Sequence, residues 1–194
     1  MSTVMTGLMT AEEFFDFANR PENRGRKLEL DRGRVVEMPS PGEIHGSVCW
    51  IVAVLFGLYV MKRGKGRATT NDTGLVVEEG PGTVRGPDLM FFDEVKPLGK
   101  LDWNHTRQIP TLVVEVVSPS DRANSINKRV AQYLGRGVSL VWIIDPEERT
   151  VGVHKRGELT RTLDETDELT GNDVLPDLKW RVEDLFKMPG EAAA

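Results

Sequence analysis

The sequence predicts an α/β (α+β) fold in which a mixed β-sheet is flanked by helices. Three observations carry that reading. Two apolar strand-like runs, Leu112–Val117, interrupted only by Glu115, and the continuous Leu140–Ile144, enclose a segment with apolar residues at helical spacing. That is a strand–helix–strand unit whose strands are covered on both faces. A second, longer apolar segment, Ile44–Lys62, has the length of a buried helix rather than of a strand. Short strand-like segments punctuated by turn residues lie on both sides of these units, which makes the sheet mixed rather than doubly wound.

In chain order, Thr10-Ala11-Glu12-Glu13 reads as a capping box that opens a short helix through Ala18. Leu28–Met38 reads as a strand pair around the turn signal Asp31-Arg32-Gly33. The long helix places Ile44, Val48, Ile51, Val52, Leu55 and Leu58 on its inward stripe and ends at Gly64 and Gly66. Strands follow at Thr73–Val77, Leu89–Phe92 and Leu112–Val117. Ser120 or Asp121 then starts a helix that runs to about Leu134 and is closed by Gly135 and Gly137. Leu140–Ile144 is stopped by Asp145-Pro146, Thr150–His154 and Leu159–Thr162 continue as hairpin-like strands, and Val182–Phe186 is a closing helical turn. The tail Glu191–Ala194 reads as frayed.

At 194 residues, with 39% apolar and 28% charged side chains, the chain has the composition of a globular protein, read as one domain over residues 1–194. A single cysteine, Cys49, excludes an intrachain disulfide, implies a reducing compartment and reads as a small core residue. Met1–Thr10 lacks the basic start and long apolar run of a secretory signal. The most apolar stretch, Val48–Met61, is shorter than the ~18 residues of a membrane span. The expectation is a cytoplasmic protein with no membrane association. A net charge of −5 argues against a general affinity for nucleic acid and fits a site built from carboxylates.

Candidate chemistry concentrates in Leu112-Val113-Val114-Glu115-Val116-Val117. Alternation puts Glu115 on one face with Val113 and Val117, and a carboxylate there needs a metal, a cation or a functional proton to offset its desolvation. A structural salt bridge or an edge position is the competing explanation. Arg85-Gly86-Pro87-Asp88 precedes the apolar strand Leu89–Phe92, and proline is tolerated at a strand's first residue, so Asp88 sits at a strand start. Two carboxylates with retained waters suit Mg²⁺ or Mn²⁺.

An acid after proline at one strand, then an acid inside the next, resembles the PD-(D/E)XK nuclease pattern, and the wider order resembles the Uma2 (DUF820) family. The matching residues are Glu29-Leu30, His45, Arg85-Gly86-Pro87-Asp88, Glu115-Val116-Val117-Ser118-Pro119-Ser120-Asp121, Tyr133, Gly137-Val138 and Val141-Trp142-Ile143-Ile144-Asp145-Pro146. They cover roughly Lys27 to His154. Each piece is unspecific and the ordered set is specific. The resemblance implies a restriction-endonuclease-like fold and metal-dependent endonuclease activity on nucleic acid, DNA first, in a homodimer. The alternative it leaves is a non-catalytic nucleic-acid-binding or assembly module.

One departure bears on activity. Val117 stands where the superfamily has lysine. In Uma2-like proteins a lysine four residues before the tyrosine takes that place; here the position holds Arg129, beside Lys128. Ile126, Val130, Tyr133 and Leu134 form the helix's inward stripe, which Arg129 borders, whereas Lys128 points nearly opposite, toward solvent. Arginine neutralises phosphate but gives up no proton. The expected catalytic set is Asp88, Glu115, Arg129, Lys128 and Glu29, with Asp88 and Glu115 as metal ligands. Glu29 is either a further metal-shell acid or a half-exposed strand residue. His45 and Tyr133 are possible accessory residues, and His45 can equally just open its helix. Lys62, Arg63, Lys65 and Arg67 read as cations at a helix C-terminus or as a contact to a nucleic-acid backbone. No phosphate-binding glycine loop, nucleophile elbow or HExxH zinc motif occurs, and His45, His105 and His154 do not fall at zinc spacing with Cys49.

Overall fold

The structure, a computed structural model, describes residues 7–119, 121–188, 190 and 191. Residues 1–6 of the N-terminal segment, Ser120 and the tail residues 192–194 lie outside the described residues, so the signal-peptide reading of that segment, the Ser120 cap and the frayed tail carry no structural account.

The centre is a six-stranded mixed sheet. Its strands are β3 (Arg67–Thr70), β6 (Leu89–Phe92), β7 (Leu112–Val116), β8 (Leu140–Asp145), β9 (Thr150–Lys155) and β10 (Arg161–Leu163), in the order β10-β9-β8-β7-β6-β3. Only β7 and β8 run parallel, Leu112 opposite Leu140 through Val116 opposite Ile144. Helix α3 (Ala123–Arg136) makes the crossover between them that a parallel pair requires. A four-stranded antiparallel sheet lies alongside, ordered β2-β1-β5-β4 from β1 (Leu28–Asp31), β2 (Arg34–Glu37), β4 (Leu75–Glu78) and β5 (Thr83–Arg85). The remaining hairpin is β11 (Glu168–Gly171) with β12 (Leu175–Arg181), followed by a 3-10 turn at Val182–Phe186.

Alternation along the central strands decides what covers each face. Leu112, Val114 and Val116 of β7 join Leu140, Trp142 and Ile144 of β8 beneath helix α2 (Glu43–Arg63), with Leu169, Leu178 and Leu185 completing that core. Val113 of β7, Val141 and Ile143 of β8 and Met90 of β6 pack instead against Val130 and Tyr133 of α3 and Leu75 and Val77 of β4. Helix α1 (Ala11–Ala18) seals the small sheet with Ala11 and Phe14 against Leu30, Val76 and Val84. Its capping box is formed: Thr10 N–H donates to Glu13 Oε2 at 2.8 Å and Glu13 N–H to Thr10 Oγ1 at 3.2 Å.

Several expectations are corrected. On α2 the buried face is Val48, Ile51, Val52, Phe56 and Tyr59, so Val48, Ile51 and Val52 point inward as expected, whereas Ile44 and Leu58 are 70% and 57% exposed. The helix is apolar all round, so periodicity could not choose its inward face. By length and composition α2 alone among the described helices could cross a membrane, but this buried face packs on the sheet as a core helix does. Helix α3 begins at Ala123 with no side-chain cap, because Asp121 instead accepts from Ser118 N–H at 2.8 Å. Gly135 lies inside α3, and Gly137 alone, at φ 113°, closes it. The strand expected at Thr73–Val77 is β4, displaced to Leu75–Glu78 by left-handed Asn71 and Asp72, and the one expected at Leu159–Thr162 starts at Arg161.

Candidate active site

Antiparallel register aligns the two acids. Leu89 of β6 faces Val114 of β7, so the preceding Asp88 falls opposite Glu115. Cross-strand neighbours of this kind hold their Cβ atoms about 4.5–5.5 Å apart. Asp88 is fixed further by accepting from Val116 N–H through Oδ2 at 2.8 Å. Both side chains line a cavity of about 990 Å³ at the C-terminal ends of the parallel pair, walled by the Met38–Gly42 loop, the first turn of α2, Ser118-Pro119 and Asp145-Pro146-Glu147.

Helix α3 supplies the rear wall. Arg129 and Tyr133, one turn apart, both reach Glu115. Tyr133 O–H donates to Glu115 Oε1 at 2.5 Å, and Arg129 Nη1 donates to the same oxygen at 3.2 Å. Arg129 also grips Glu29 through both nitrogens, Nη1 to Oε1 at 2.9 Å and Nη2 to Oε2 at 2.8 Å. Such forked pairs are the geometrically specific ones. Glu29, 2% exposed, accepts two more hydrogen bonds, from Gly86 N–H at 3.0 Å and Arg85 Nη1 at 3.0 Å. All its acceptor directions are thus filled by protein donors, and it is neither half-exposed nor open to a further ligand in this arrangement.

Arg85 spends its guanidinium on three partners: Glu29, Asp31 Oδ1 at 2.9 Å and Gln132 Oε1 at 2.9 Å. Lys128 reaches Asp31 Oδ2 at 2.5 Å. It is therefore ion-paired rather than merely solvated, though it does point away from the cavity, which it does not line. Glu29, Asp31, Asp88 and Glu115 face Arg85, Lys128 and Arg129, and Lys27, paired with Asp72 at 2.9 Å, adds a further positive charge at the cavity wall.

Burial dominates the protonation of Glu115, raising its carboxyl to about 7 against the lowering pull of Arg129. Desolvation would lower Arg129, but the Glu115 and Glu29 carboxylates outweigh it and hold the guanidinium charged. Burial also drives the Tyr133 phenol well above its usual range, so it acts as a donor. His45 lies 3.4 Å from Asp88 through Nε2, and the hydrogen bond to that carboxylate raises it. It therefore meets the site as well as opening α2.

The donor set fits a divalent cation. Asp88 Oδ1 and Glu115 Oε2 accept no hydrogen bond from the described residues, both side chains face the cavity, and acids outnumber cations along its wall, where Glu43, Asp121, Asp145 and Glu147 join them against Lys27 and Arg129. Hard oxygen ligands with retained water are what Mg²⁺ and Mn²⁺ take.

The family model for Uma2, described as "Putative restriction endonuclease", matches residues 11–183. The chain belongs to the Uma2 family. No curated protein matches it. Among solved structures it is similar to the crystal structure of "a putative nuclease belonging to DUF820" from Anabaena variabilis, with TM-score 0.77 and 21% identity over 92% of this chain and 97% of that one. At that identity the likeness speaks for the shared nuclease-like fold.

In this Uma2 chain Asp88, Glu115, Arg129, Glu29, Tyr133 and His45 converge on one site. The basic cluster does not join them. Arg63 and Lys65 pair with Asp93 at 2.7 and 2.9 Å, and Arg67 pairs with Glu94 at 3.4 Å while lying 3.7 Å over the Phe92 ring. None of the four lines the cavity. Sequence reasoning assigned no role to Arg85, Asp31 or Gln132. A cation in the short strand Thr83–Arg85 and an acid two residues after Glu29, hence on its face, were the available signals. Cys49 packs against the main core as expected but is only half-buried, with Sγ 3.5 Å from His45 Nδ1.

Proposed function

We propose that this protein is a metal-dependent endonuclease that hydrolyses phosphodiester bonds in nucleic acid, DNA being the first substrate to test. The observation that carries the reading is the juxtaposition of Asp88 and Glu115 at the cavity, with Arg129 behind them. Asp88 and Glu115 would hold Mg²⁺ or Mn²⁺. When bound, such an ion supplies Lewis-acid stabilisation of phosphate charge and a more acidic water.

The protein's own groups do the rest. Tyr133 and Arg129 fix one oxygen of Glu115, which leaves the other turned to the cavity. Glu29 orients Arg129 by its forked pair and is a positioning residue. Arg129 adds positive charge behind a bound phosphate but accepts no proton, because a guanidinium stays protonated. Proton removal from the attacking water therefore falls to solvent or to the neutral form of His45, the one imidazole lining the cavity. Lys128, outside the cavity, acts only through Asp31.

The test is nicking of supercoiled plasmid with Mg²⁺ or Mn²⁺. Wild type is expected to cleave, and Asp88→Ala and Glu115→Ala to lose more than about a hundredfold, the scale of removing preorganised charge stabilisation. Arg129→Lys is expected to raise turnover, because a lysine there can shed its proton. A second reading, a non-catalytic nucleic-acid-binding module on the same fold, is favoured by that arginine. Retained DNA binding with no cleavage by wild type or by Arg129→Lys would select it.

A further inference from the structure

We propose that His45, Cys49 and Asp88 form a second cation site of mixed nitrogen, sulfur and oxygen donors, selective for zinc over magnesium, in the wall of the same cavity. It extends the metal-dependent reading above, on which its link to catalysis rests, and it shares Asp88 but not Glu115 with the proposed magnesium ligands.

Local structure builds the site. His45 and Cys49 are four residues apart on α2, so one helix face presents both. The His45 ring stands between the other two donors, with Nδ1 3.5 Å from Cys49 Sγ and Nε2 3.4 Å from Asp88 Oδ2. A donor atom from each of the three residues lies within 4.8 Å of the others. Zinc bonds of about 2.0–2.3 Å require ligand atoms roughly 3.3–3.8 Å apart in a tetrahedron. Only the Nδ1–Sγ separation is one between ligands of a single ion; Asp88 faces the opposite ring nitrogen, so its side chain must rotate to bring a carboxylate oxygen, already within 4.8 Å, round to the ion that Cys49 and His45 would share. Three protein ligands leave a fourth position for water from the cavity that His45 and Asp88 line, the arrangement of open zinc sites.

Donor chemistry sets the selectivity. Thiolate and imidazole favour zinc, cobalt and related ions, whereas magnesium demands oxygen. Without a metal, burial holds the Cys49 thiol protonated well above its ordinary range. Binding therefore replaces the thiol proton with the ion and releases that proton to solvent. Sulfur ligation is the feature that a merely structural His–Cys–Asp contact would lack.

The experiment is titration of the whole protein with Co²⁺, followed by its near-ultraviolet thiolate-to-cobalt charge-transfer absorption. Wild type is expected to develop the band with one equivalent. Zn²⁺ should abolish it stoichiometrically, and Mg²⁺ in large excess should leave it. Cys49→Ser, with folding checked by circular dichroism, should lose the band and lower zinc affinity by more than about a hundredfold, beyond what an outer partner is worth. Glu115→Ala should keep the band. Absence of the band in wild type, or its survival in Cys49→Ser, overturns the thiolate site. Calorimetry with Mn²⁺ on wild type and Glu115→Ala separates the two readings. Mn²⁺ binding that needs Glu115, without a cobalt band, leaves the nuclease reading standing and removes this one. A cobalt band without Glu115-dependent Mn²⁺ binding does the reverse.

Discussion

Arg129 and Lys128 are adjacent cations with opposite fates, and the difference is measurable. Arg129 is buried among Glu29 and Glu115, while the Lys128 side chain is 40% exposed and, among the described residues, forms its one ion pair with Asp31. Removing one partner of a buried pair strands the other charge, a cost of about 3–5 kcal/mol. An exposed pair is worth at most ~1 kcal/mol. Arg129→Ala should therefore lower urea stability at neutral pH by about 3–5 kcal/mol and Lys128→Ala by no more than ~1 kcal/mol; equal losses would contradict the burial argument. Glu115 makes a prediction in pH. Its carboxyl is raised by burial from an ordinary 4.5 to about 7. A raised acid favours the fold while protonated, so that contribution is full below about 4.5 and is lost as pH climbs through about 7. Metal binding has the opposite sign, because only the carboxylate binds. Mn²⁺ affinity measured by calorimetry should fall up to tenfold per pH unit below about 7 and level off above it. An affinity flat between pH 5.5 and 8 would remove Glu115 from the ligand set.

At the scale of elements, the turn from α2 into β3 illustrates what local backbone demands. Gly64 and Gly66 both have positive φ, 63° and 105°. A Cβ at Gly64 meets nothing within 4 Å, whereas one at Gly66 meets the Phe91 ring at 2.7 Å. Gly64→Ala should cost about 1–2 kcal/mol from left-handed backbone alone. Gly66→Ala should cost about 1–3 kcal/mol more from overpacking, read as a lower urea midpoint; the reverse order would mean that Phe91 yields freely. The elements that set the site were legible where pattern and burial agree. β7 and β8 are apolar but for Glu115 and the terminal Asp145, and α3 has a sharp stripe, so Glu115, Arg129 and Tyr133 fell on the right faces. β3, Arg67-Ala68-Thr69-Thr70, and β5, Thr83-Val84-Arg85, were missed because they are short and mostly polar, held by neighbouring strands rather than by their own propensity. β11 and β12 were missed for similar reasons: β12 carries a proline and three charged residues, and its inward Leu175 and Leu178 show no strict alternation. Missing β5 is why Arg85 had no role. The Cys49–His45 contact was available in principle from their spacing on one helix face, but an all-apolar helix gave no reason to look on that side.

At the scale of the whole molecule, α2 presents an apolar surface that the core of the described residues does not use. Opposite the buried face of α2, Trp50, Leu58 and Met61 are 49%, 57% and 77% exposed, with Val54 half-buried between them. Successive offsets of four, four and three residues put all four on one stripe, about 16 Å long at 1.5 Å per residue. Gly57 lies within that stripe, and nothing occupies the space beside it, so a second backbone could approach closely there. A helix apolar on every side is ordinarily covered on every side. If a second copy of the chain covers this one, helix packs against helix about a two-fold axis. Leu58→Asp would then place like charges face to face across the axis. Sedimentation equilibrium should show a dimer for wild type and a monomer for Leu58→Asp, with unchanged circular dichroism. A wild-type monomer that binds neutral phospholipid vesicles would instead assign the stripe to a membrane surface. If wild type is dimeric and Leu58→Asp also stays dimeric, the contact lies elsewhere, and the exposed residues of α2 need another explanation.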